Sequence, residues 1–308
     1  MTTISSVALP SWNDGATRSA IIDFVARVAK QGSADYVPPS ERIATFDNDG
    51  TLWSEQPLQV QVYFLADRIK QLAAKDPSIP QRQPFKAFVE HDFKTLMSLG
   101  KQAAAELFFA THAGMSEDEF AEIGRAWFAS AKHPKYGCAF TQVAFKPQLE
   151  LLDYLRKNGF KTYIVTGGGV DFVRLICEQS YRIPREQVIG SSVKLRVEMR
   201  DGCSMLMKTP ELGSFDDREV KVQNIGLHIG RRPILAFGNS DGDLAMLRYV
   251  KSGAGARLAL LLQHDDDARE VAYDREFMLS PLAEALDKAT EYGITVVSMK
   301  RDWKVVFG

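Results

Sequence analysis

The sequence predicts an α/β protein whose doubly wound, mostly parallel sheet is interrupted by one helical insertion. Three observations carry this expectation. Short, nearly continuous apolar runs, Ile43–Phe46 first among them, alternate with helical patterns, as strands buried on both faces of a parallel sheet do. Several of these runs end abruptly in carboxylates, amides or glycines, at the strand tips where open α/β sheets hold ligands. Between Pro57 and Ala131 the period changes, and apolar residues recur every three or four positions, as in residues 60–69, which gives several helices and no strand.

Taken along the chain, residues 16–30 carry apolar positions at helical spacing and form an amphipathic helix ahead of the first strand. Asp47, Asn48, Asp49 and Gly50 leave the tip of that strand. The insertion follows and divides the chain into a core, residues 1–56 and 146–308, and a helical segment, residues 57–145. From Pro147 strand and helix alternate again. Residues 149–157 make a helix stopped by Asn158-Gly159, residues 160–165 a strand, residues 167–169 the turn into a further helix, and residues 233–237 and 256–262 two more strands. No internal repeat or low-complexity segment is present.

With 308 residues, 45% hydrophobic and 25% charged, the chain has room for one large globular domain and a smaller one. Its 38 basic and 39 acidic residues leave a formal net charge of -1, so no global field favours nucleic acid or an anionic membrane, and a small molecule is the expected partner. The N-terminal stretch Met-Thr-Thr-Ile-Ser-Ser-Val-Ala-Leu-Pro lacks the basic and apolar segments of a secretory leader, and no apolar run approaches the ~20 residues of a membrane span. The expected compartment is the cytoplasm, or the periplasm if the N-terminus was trimmed. Cys138, Cys177 and Cys203 lie far apart without Cys-x-x-Cys spacing, which favours buried free thiols over a structural zinc site. The five histidines show no metal-ligand spacing, and His264, ahead of Asp265-Asp266-Asp267, is expected on a solvated loop.

Four clusters carry chemistry. Asp47-Asn48-Asp49-Gly50-Thr51 sets two carboxylates one residue apart, which calls for a bound cation or a proton held on one of them, unless the segment is a plain Asx turn. Thr166-Gly167-Gly168-Gly169 offers a hydroxyl and backbone N–H groups at a helix start, an anion site in one reading and a tight turn in the other. Neither the dinucleotide fingerprint nor the Walker A spacing occurs. Lys221, at the start of a predicted helix, reads on its own as a solvated lysine. Residues 238–243, Gly-Asn-Ser-Asp-Gly-Asp, bring oxygen ligands suited to a hard cation, or else a helix-capping turn. Two such acidic tips in one sheet favour a site over a pair of turns.

In this order, Asp-x-Asp-Gly-Thr, Thr-Gly, Lys and Gly-Asn-Ser-Asp-Gly-Asp resemble the four motifs of the haloacid dehalogenase (HAD) superfamily of phosphohydrolases, over residues from about 41 to 265. The insertion is similar to that superfamily's first-type cap domain. The chain is most similar to the phosphoserine-phosphatase-like branch, which carries a β-hairpin before the lysine; residues 193–199, the turn Arg200-Asp201-Gly202 and residues 204–207 would be that hairpin. The resemblance implies a Mg²⁺-dependent phosphomonoester hydrolase. Asp47 would be the nucleophile that forms an aspartyl-phosphate, and Asp49 the general acid and then base, with its backbone carbonyl on the metal. That role asks for an Asp49 carboxyl held above the ~3.9 of a free Asp. Thr166 and the Gly167 N–H would bind phosphoryl oxygens, and Lys221 would offset the charge of phosphate and nucleophile. Asp47, the Asp49 carbonyl and the fourth motif would hold Mg²⁺.

One departure bears on the metal. The superfamily's fourth motif usually begins Gly-Asp, whereas this chain has Gly238-Asn239, whose amide oxygen can ligate but brings no charge. Asp243, and after it Asp241, would compensate directly or through a metal-bound water. A large cap encloses the site, so a small phosphomonoester is the expected substrate. Trp53, Glu55, Gln59 and Tyr63 are its candidate contacts. Glu55 lies one residue away from where phosphoserine-specific relatives place an amine-binding Glu, and phosphoserine is not inferred from it. The cap aromatics Phe64, Phe93, Phe108, Phe109, Trp127 and Phe128 read as the cap's own core. A phosphoaccepting signalling domain is disfavoured by the Asp49 acid and the cap. A dehalogenase would leave Asp49 and the metal residues without a task. A ligand-binding protein on the same fold, without metal-dependent turnover, has Asn239 as its support. Nothing in the sequence sets an oligomeric state.

Overall fold

Seven strands form one sheet: β1 (Ile43–Phe46), β2 (Lys161–Gly169), β3 (Val188–Arg200), β4 (Cys203–Ser214), β5 (Leu235–Gly238), β6 (Leu258–Gln263) and β7 (Thr295–Ser298), in the spatial order β4-β3-β2-β1-β5-β6-β7. The computed structural model describes residues 8–308. Residues 1–7, part of the N-terminal stretch considered above for a leader and of the core segment 1–56, lie outside the described residues. All pairings are parallel except β3 with β4, an antiparallel hairpin. The period-2 alternation of a strand is visible along β6. Leu258, Leu260 and Leu262 join the core with α1 (Ala16–Ala29), while Ala259 and Leu261 face the opposite core. Both faces are covered, which is why these strands read as unbroken apolar runs.

Between β1 and β2, which pair directly, the chain makes α2 (Val60–Lys75), α3 (Phe85–Val89), α4 (Phe93–His112) and α5 (Glu117–Ser130). Gly100, at φ 71°, breaks α4 into two pieces. Ser116 and Glu119 form a capping box that starts α5. The two crossings into this insertion run side by side: Ser54 N–H donates to Val143 O (3.0 Å) and Phe145 N–H to Leu52 O (2.9 Å). The sheet is completed by α6 (Lys146–Lys157), α7 (Val170–Arg174), α8 (Cys177–Tyr181), α9 (Glu219–Ile229), α10 (Leu244–Lys251), α11 (Glu284–Lys288) and α12 (Met299–Asp302). Phe64 of α2 lies among Phe120, Trp127 and Phe172 with ring centroids 5.2–5.9 Å apart, and Phe172 belongs to α7, so the insertion shares its aromatic core with the sheet domain.

The structure departs from the sequence expectations at several points. The glycines of the second cluster are not a turn; β2 runs on to Gly169, with a register break against β3 between Thr166 and Gly169. The hairpin is longer than expected, its antiparallel pairing running from Ser192 with Ser214 to Arg200 with Cys203, and β3 begins as a parallel sheet strand beside β2 before it leaves the core. Its turn uses Asp201 and Gly202 at φ 52° and 78°, as a two-residue hairpin turn requires. β7 was not anticipated. Of the three thiols only Cys177 is buried; Cys138 is half-buried and Cys203, at the hairpin turn, is exposed. His264 is not on a solvated loop: it is 2% exposed, because its ring bridges Gly50 and Glu270. Among the described residues no helix is long and apolar enough to cross a membrane.

Candidate active site

β1 has β2 on one side and β5 on the other, so its C-terminal tip is a topological switch point. Asp47 is the first residue past that tip, and its N–H donates to Phe237 O (2.9 Å), which holds it against β5. Lys221, in the first turn of α9, is buried rather than solvated. Its Nζ donates to Asp47 Oδ1 (2.7 Å), Asp243 Oδ1 (2.7 Å) and Val165 O (3.0 Å), which uses all three ammonium protons. Asp243 Oδ2 accepts from the N–H groups of Asn239 (3.0 Å) and Ser240 (3.1 Å) and from Ser240 Oγ (3.2 Å). Asp243 thereby fixes both Lys221 and the turn after β5, with Oδ2 taken up by the turn and Oδ1 accepting from Lys221. Asp241 caps α11 by accepting from the N–H groups of Ala283, Glu284 and Ala285 at 2.8–3.2 Å. Residues 238–242 also fit the Gly-x-Ser-x-Gly pattern of a serine nucleophile, but Ser240 Oγ is bound to Asp243 and has no histidine partner among the described residues.

Asp49 lies across from Asp47 at the same tip. Trp53 Nε1 donates to its Oδ1 (2.9 Å), and Thr166 and Gly168 border its other side. Thr166 is buried and its Oγ1 accepts from Gly168 N–H (3.0 Å), while Ser191 Oγ donates to Gly167 O (2.7 Å); these bonds shape the break in β2. Gly50 has φ 74°, and a Cβ there would overlap the Asn239 amide nitrogen and a Glu55 oxygen, so only glycine lets these side chains close on the loop. Asn239 Nδ2 donates to Glu55 Oε1 (2.9 Å), and its Oδ1 accepts from Thr51 Oγ1 (2.9 Å).

The electrostatics follow from burial. Desolvation, then the neighbouring Asp243, pushes the Asp47 carboxyl well above its ordinary range, and the Lys221 ammonium works against them. For Lys221 burial alone would lower the pKa, but Asp243, Asp47 and Asp216 together hold it above the ordinary lysine range. Asp49 is raised by burial, which outweighs its hydrogen bonds from Trp53 and Asn48. Burial and the Asp49 charge push Glu55 up to about 7.

Of the four residues expected to meet substrate, Trp53 is buried as a wall beside Asp49, Glu55 is buried against Asn239, and Gln59 donates to Glu55 Oε2 (3.2 Å) and Ser280 Oγ (2.9 Å). Tyr63 packs on Phe140. Two insertion residues reach the end of β2: Gln61, whose Oε1 accepts from Gly169 N–H (2.7 Å), and Phe108, whose ring lies against Gly169; Phe108 is thus not only core. Sequence reasoning missed both, since the helical period places a polar residue on a face without saying what that face covers. It also missed Tyr273 and Ser280, which donate to Glu55.

Among the described residues no group of three or more His, Cys, Asp or Glu side chains converges as a metal cage. A Mg²⁺ site needs few protein carboxylates, however, and takes oxygens of other kinds. Among the described residues Lys221 alone hydrogen-bonds the Asp47 carboxylate, through Oδ1 only, and Thr51 alone hydrogen-bonds Asn239 Oδ1. Asp47, the Asp49 carbonyl and the free lone pair of Asn239 Oδ1 would make an all-oxygen donor set of the kind that suits a hard cation.

A conserved protein of unknown function from Anaerococcus prevotii DSM 20548 is 17% identical to this chain, with a TM-score of 0.57 over 92% of this chain and 91% of that one. A protein of unknown function from Bordetella pertussis Tohama I is 16% identical, with a TM-score of 0.52 over 83% of this chain and 98% of that one. Both likenesses concern the fold. No curated protein matches the chain. The HAD profile, described as haloacid dehalogenase-like hydrolase, matches residues 44–248 and so spans the four clusters from Asp47 to Asp243. The chain belongs to the haloacid dehalogenase-like hydrolases.

Proposed function

We propose that this hydrolase is a Mg²⁺-dependent phosphatase of small phosphomonoesters that works through an aspartyl-phosphate on Asp47. The observation that supports it best is the Asp47 carboxylate itself, buried at the switch point with Oδ1 held by Lys221 and Oδ2 without a hydrogen-bond partner among the described residues. Oδ2 attacks phosphorus, the ester P–O bond breaks, and the leaving alkoxide takes the proton of Asp49. A water then attacks the acyl phosphate, gives its proton to the Asp49 carboxylate, and frees inorganic phosphate and Asp47. Lys221 offsets the charge on the nucleophile throughout, held in place by Asp243, and Thr166 with the Gly167 N–H receives the phosphoryl oxygens. Asp47, the Asp49 carbonyl and Asn239 would hold Mg²⁺, which when bound supplies Lewis-acid neutralisation of the phosphoryl charge. Residues 57–145 act as the cap over this tip, with Gln61 and Phe108 facing the reaction space and excluding bulky esters.

The test is phosphate release from a panel of small phosphomonoesters with and without Mg²⁺. Turnover should depend on Mg²⁺, vanish in Asp47→Asn, and fall by ~10²–10⁴-fold in Asp49→Asn. Turnover that survives Asp47→Asn would remove Asp47 as nucleophile, and silence on every ester would favour the ligand-binding reading.

A further inference from the structure

Asn239 brings no charge to the metal side of the site, Asp243 is bound to Lys221 and the turn after β5, and Asp241 caps α11. Glu55 is the carboxylate that meets the side-chain amide of Asn239 among the described residues. A carboxylate only accepts, so the 2.9 Å contact between Glu55 Oε1 and the amide dictates that Nδ2 faces Glu55 and Oδ1 faces Thr51. Glu55 itself cannot turn. Its Oε1 also accepts from Tyr273 Oη (2.8 Å), and its Oε2 accepts from Gln59 Nε2 (3.2 Å) and Ser280 Oγ (2.9 Å). An aspartate at position 239 would press a second carboxyl group onto Oε1, and a proton would have to be taken up between the two inside a buried site.

We propose that Glu55 is a positioning residue of the metal site: it locks the Asn239 amide with its oxygen toward the Asp49–Thr51 loop. The inference rests on the metal-dependent reading above. Asn239 and Glu55 are then a matched donor and acceptor pair, one hydrogen bond away from the ligating oxygen. Donation from Nδ2 to a carboxylate also polarises the amide and makes Oδ1 the better donor, as partners of metal ligands do.

The test is a double-mutant cycle on the full chain over wild type, Glu55→Gln, Asn239→Asp and the double variant, which reverses donor and acceptor with nearly the same atoms. Two quantities are read: Mg²⁺ affinity by isothermal titration calorimetry, and the thermal midpoint without metal. Glu55→Gln should weaken Mg²⁺ by ~10–100-fold. Asn239→Asp, despite its added carboxylate, should lower the metal-free midpoint and bind Mg²⁺ no more tightly than wild type. The double variant should regain the wild-type midpoint and at least the wild-type affinity. Additive effects in both readouts, or an Asn239→Asp protein that binds Mg²⁺ more tightly without losing stability, would overturn the inference alone. A wild type that takes up no Mg²⁺ would overturn the metal-dependent reading and this inference with it.

Discussion

Two buried histidines hold opposite charge states, and each is set by what its two nitrogens face. His264 points Nε2 at Gly50 O (2.7 Å) and Nδ1 at Glu270 Oε2 (3.2 Å); both are acceptors, so both nitrogens must donate and the ring is an imidazolium. Burial opposes that charge, but the Glu270 carboxylate prevails and the His264 pKa is raised. His112 faces Phe108 O (2.9 Å) through Nδ1 and the Gln61 amide nitrogen (3.3 Å) through Nε2, a pattern that the neutral ring satisfies. Burial, then the nearby Lys208, lowers it to about 3. The signs of the two linkages are opposite. For His112 the unfolded chain binds the extra proton, so its contribution is whole above the unfolded pKa of ~6.5 and lost as pH falls towards 3, at up to about 1.4 kcal/mol per pH unit. For His264 the folded chain binds the extra proton, so its contribution is whole below ~6.5 and lost as pH rises through its folded value. The stability difference between wild type and His112→Gln should therefore shrink towards acid, and that between wild type and His264→Gln towards alkali. Thermal midpoints taken across pH decide this, and a difference that stays flat for either variant removes the assigned charge state.

At the scale of elements, α7, α5 and β4 are joined beside the candidate site. Lys208 of β4 has a fully buried side chain; it pairs with Asp171 of α7 and lies over the Phe120 ring of α5, 5.0 Å from its centroid. Its backbone ties in the segment before α5, with Lys208 N–H donating to Met115 O (2.9 Å) and Gly114 N–H to Lys208 O (2.9 Å). The hairpin edge is thereby fastened to the insertion, and α7, which begins where the glycines of β2 end, is the third member. Removing one partner of a buried pair leaves an uncompensated charge, so Asp171→Ala should cost about 3 kcal/mol, near the lower end of such effects because Asp171 keeps some exposure. Adding Lys208→Met should recover most of the loss, since an apolar chain of similar length fills the same space. Urea denaturation measures both, and an Asp171→Ala protein within about 0.5 kcal/mol of wild type, the scatter expected of surface changes, would show that the pair does not hold these elements together.

For the molecule as a whole, the parts legible in the sequence were those with a local signature. The strands β1, β2, β5 and β6 are buried on both faces and so read as apolar runs, and the polar clusters at the tips of β1, β2 and β5 stand out against them. What could not be read depends on partners far along the chain. β7 is a four-residue edge strand with two half-buried residues, and the start of β3 is indistinguishable from a loop entering a hairpin. His264 stands before three aspartates, which mimics a solvated stretch, yet its partner Gly50 lies 214 residues away. Nothing local to Glu55 announces its partners Tyr273 and Ser280. The same long-range convergence leaves a charge imbalance at the switch point. Asp47, Asp243 and Asp216 share the Lys221 ammonium, and Asp216, pushed up to about 6 by burial, keeps one oxygen without a partner. The metal-free fold is therefore held below the stability its packing would allow. Asp47→Asn removes one of these charges and should raise the metal-free midpoint above that of wild type, the usual relation between an active site and stability. Mg²⁺ at ~100-fold over its Kd should stabilise wild type by about 2.7 kcal/mol, a rise of a few degrees, and should do little for Asp47→Asn. Thermal melts of both proteins with and without Mg²⁺ test the point: an Asp47→Asn protein that melts lower than wild type, yet keeps the full Mg²⁺ shift, would place the metal and the imbalance away from Asp47.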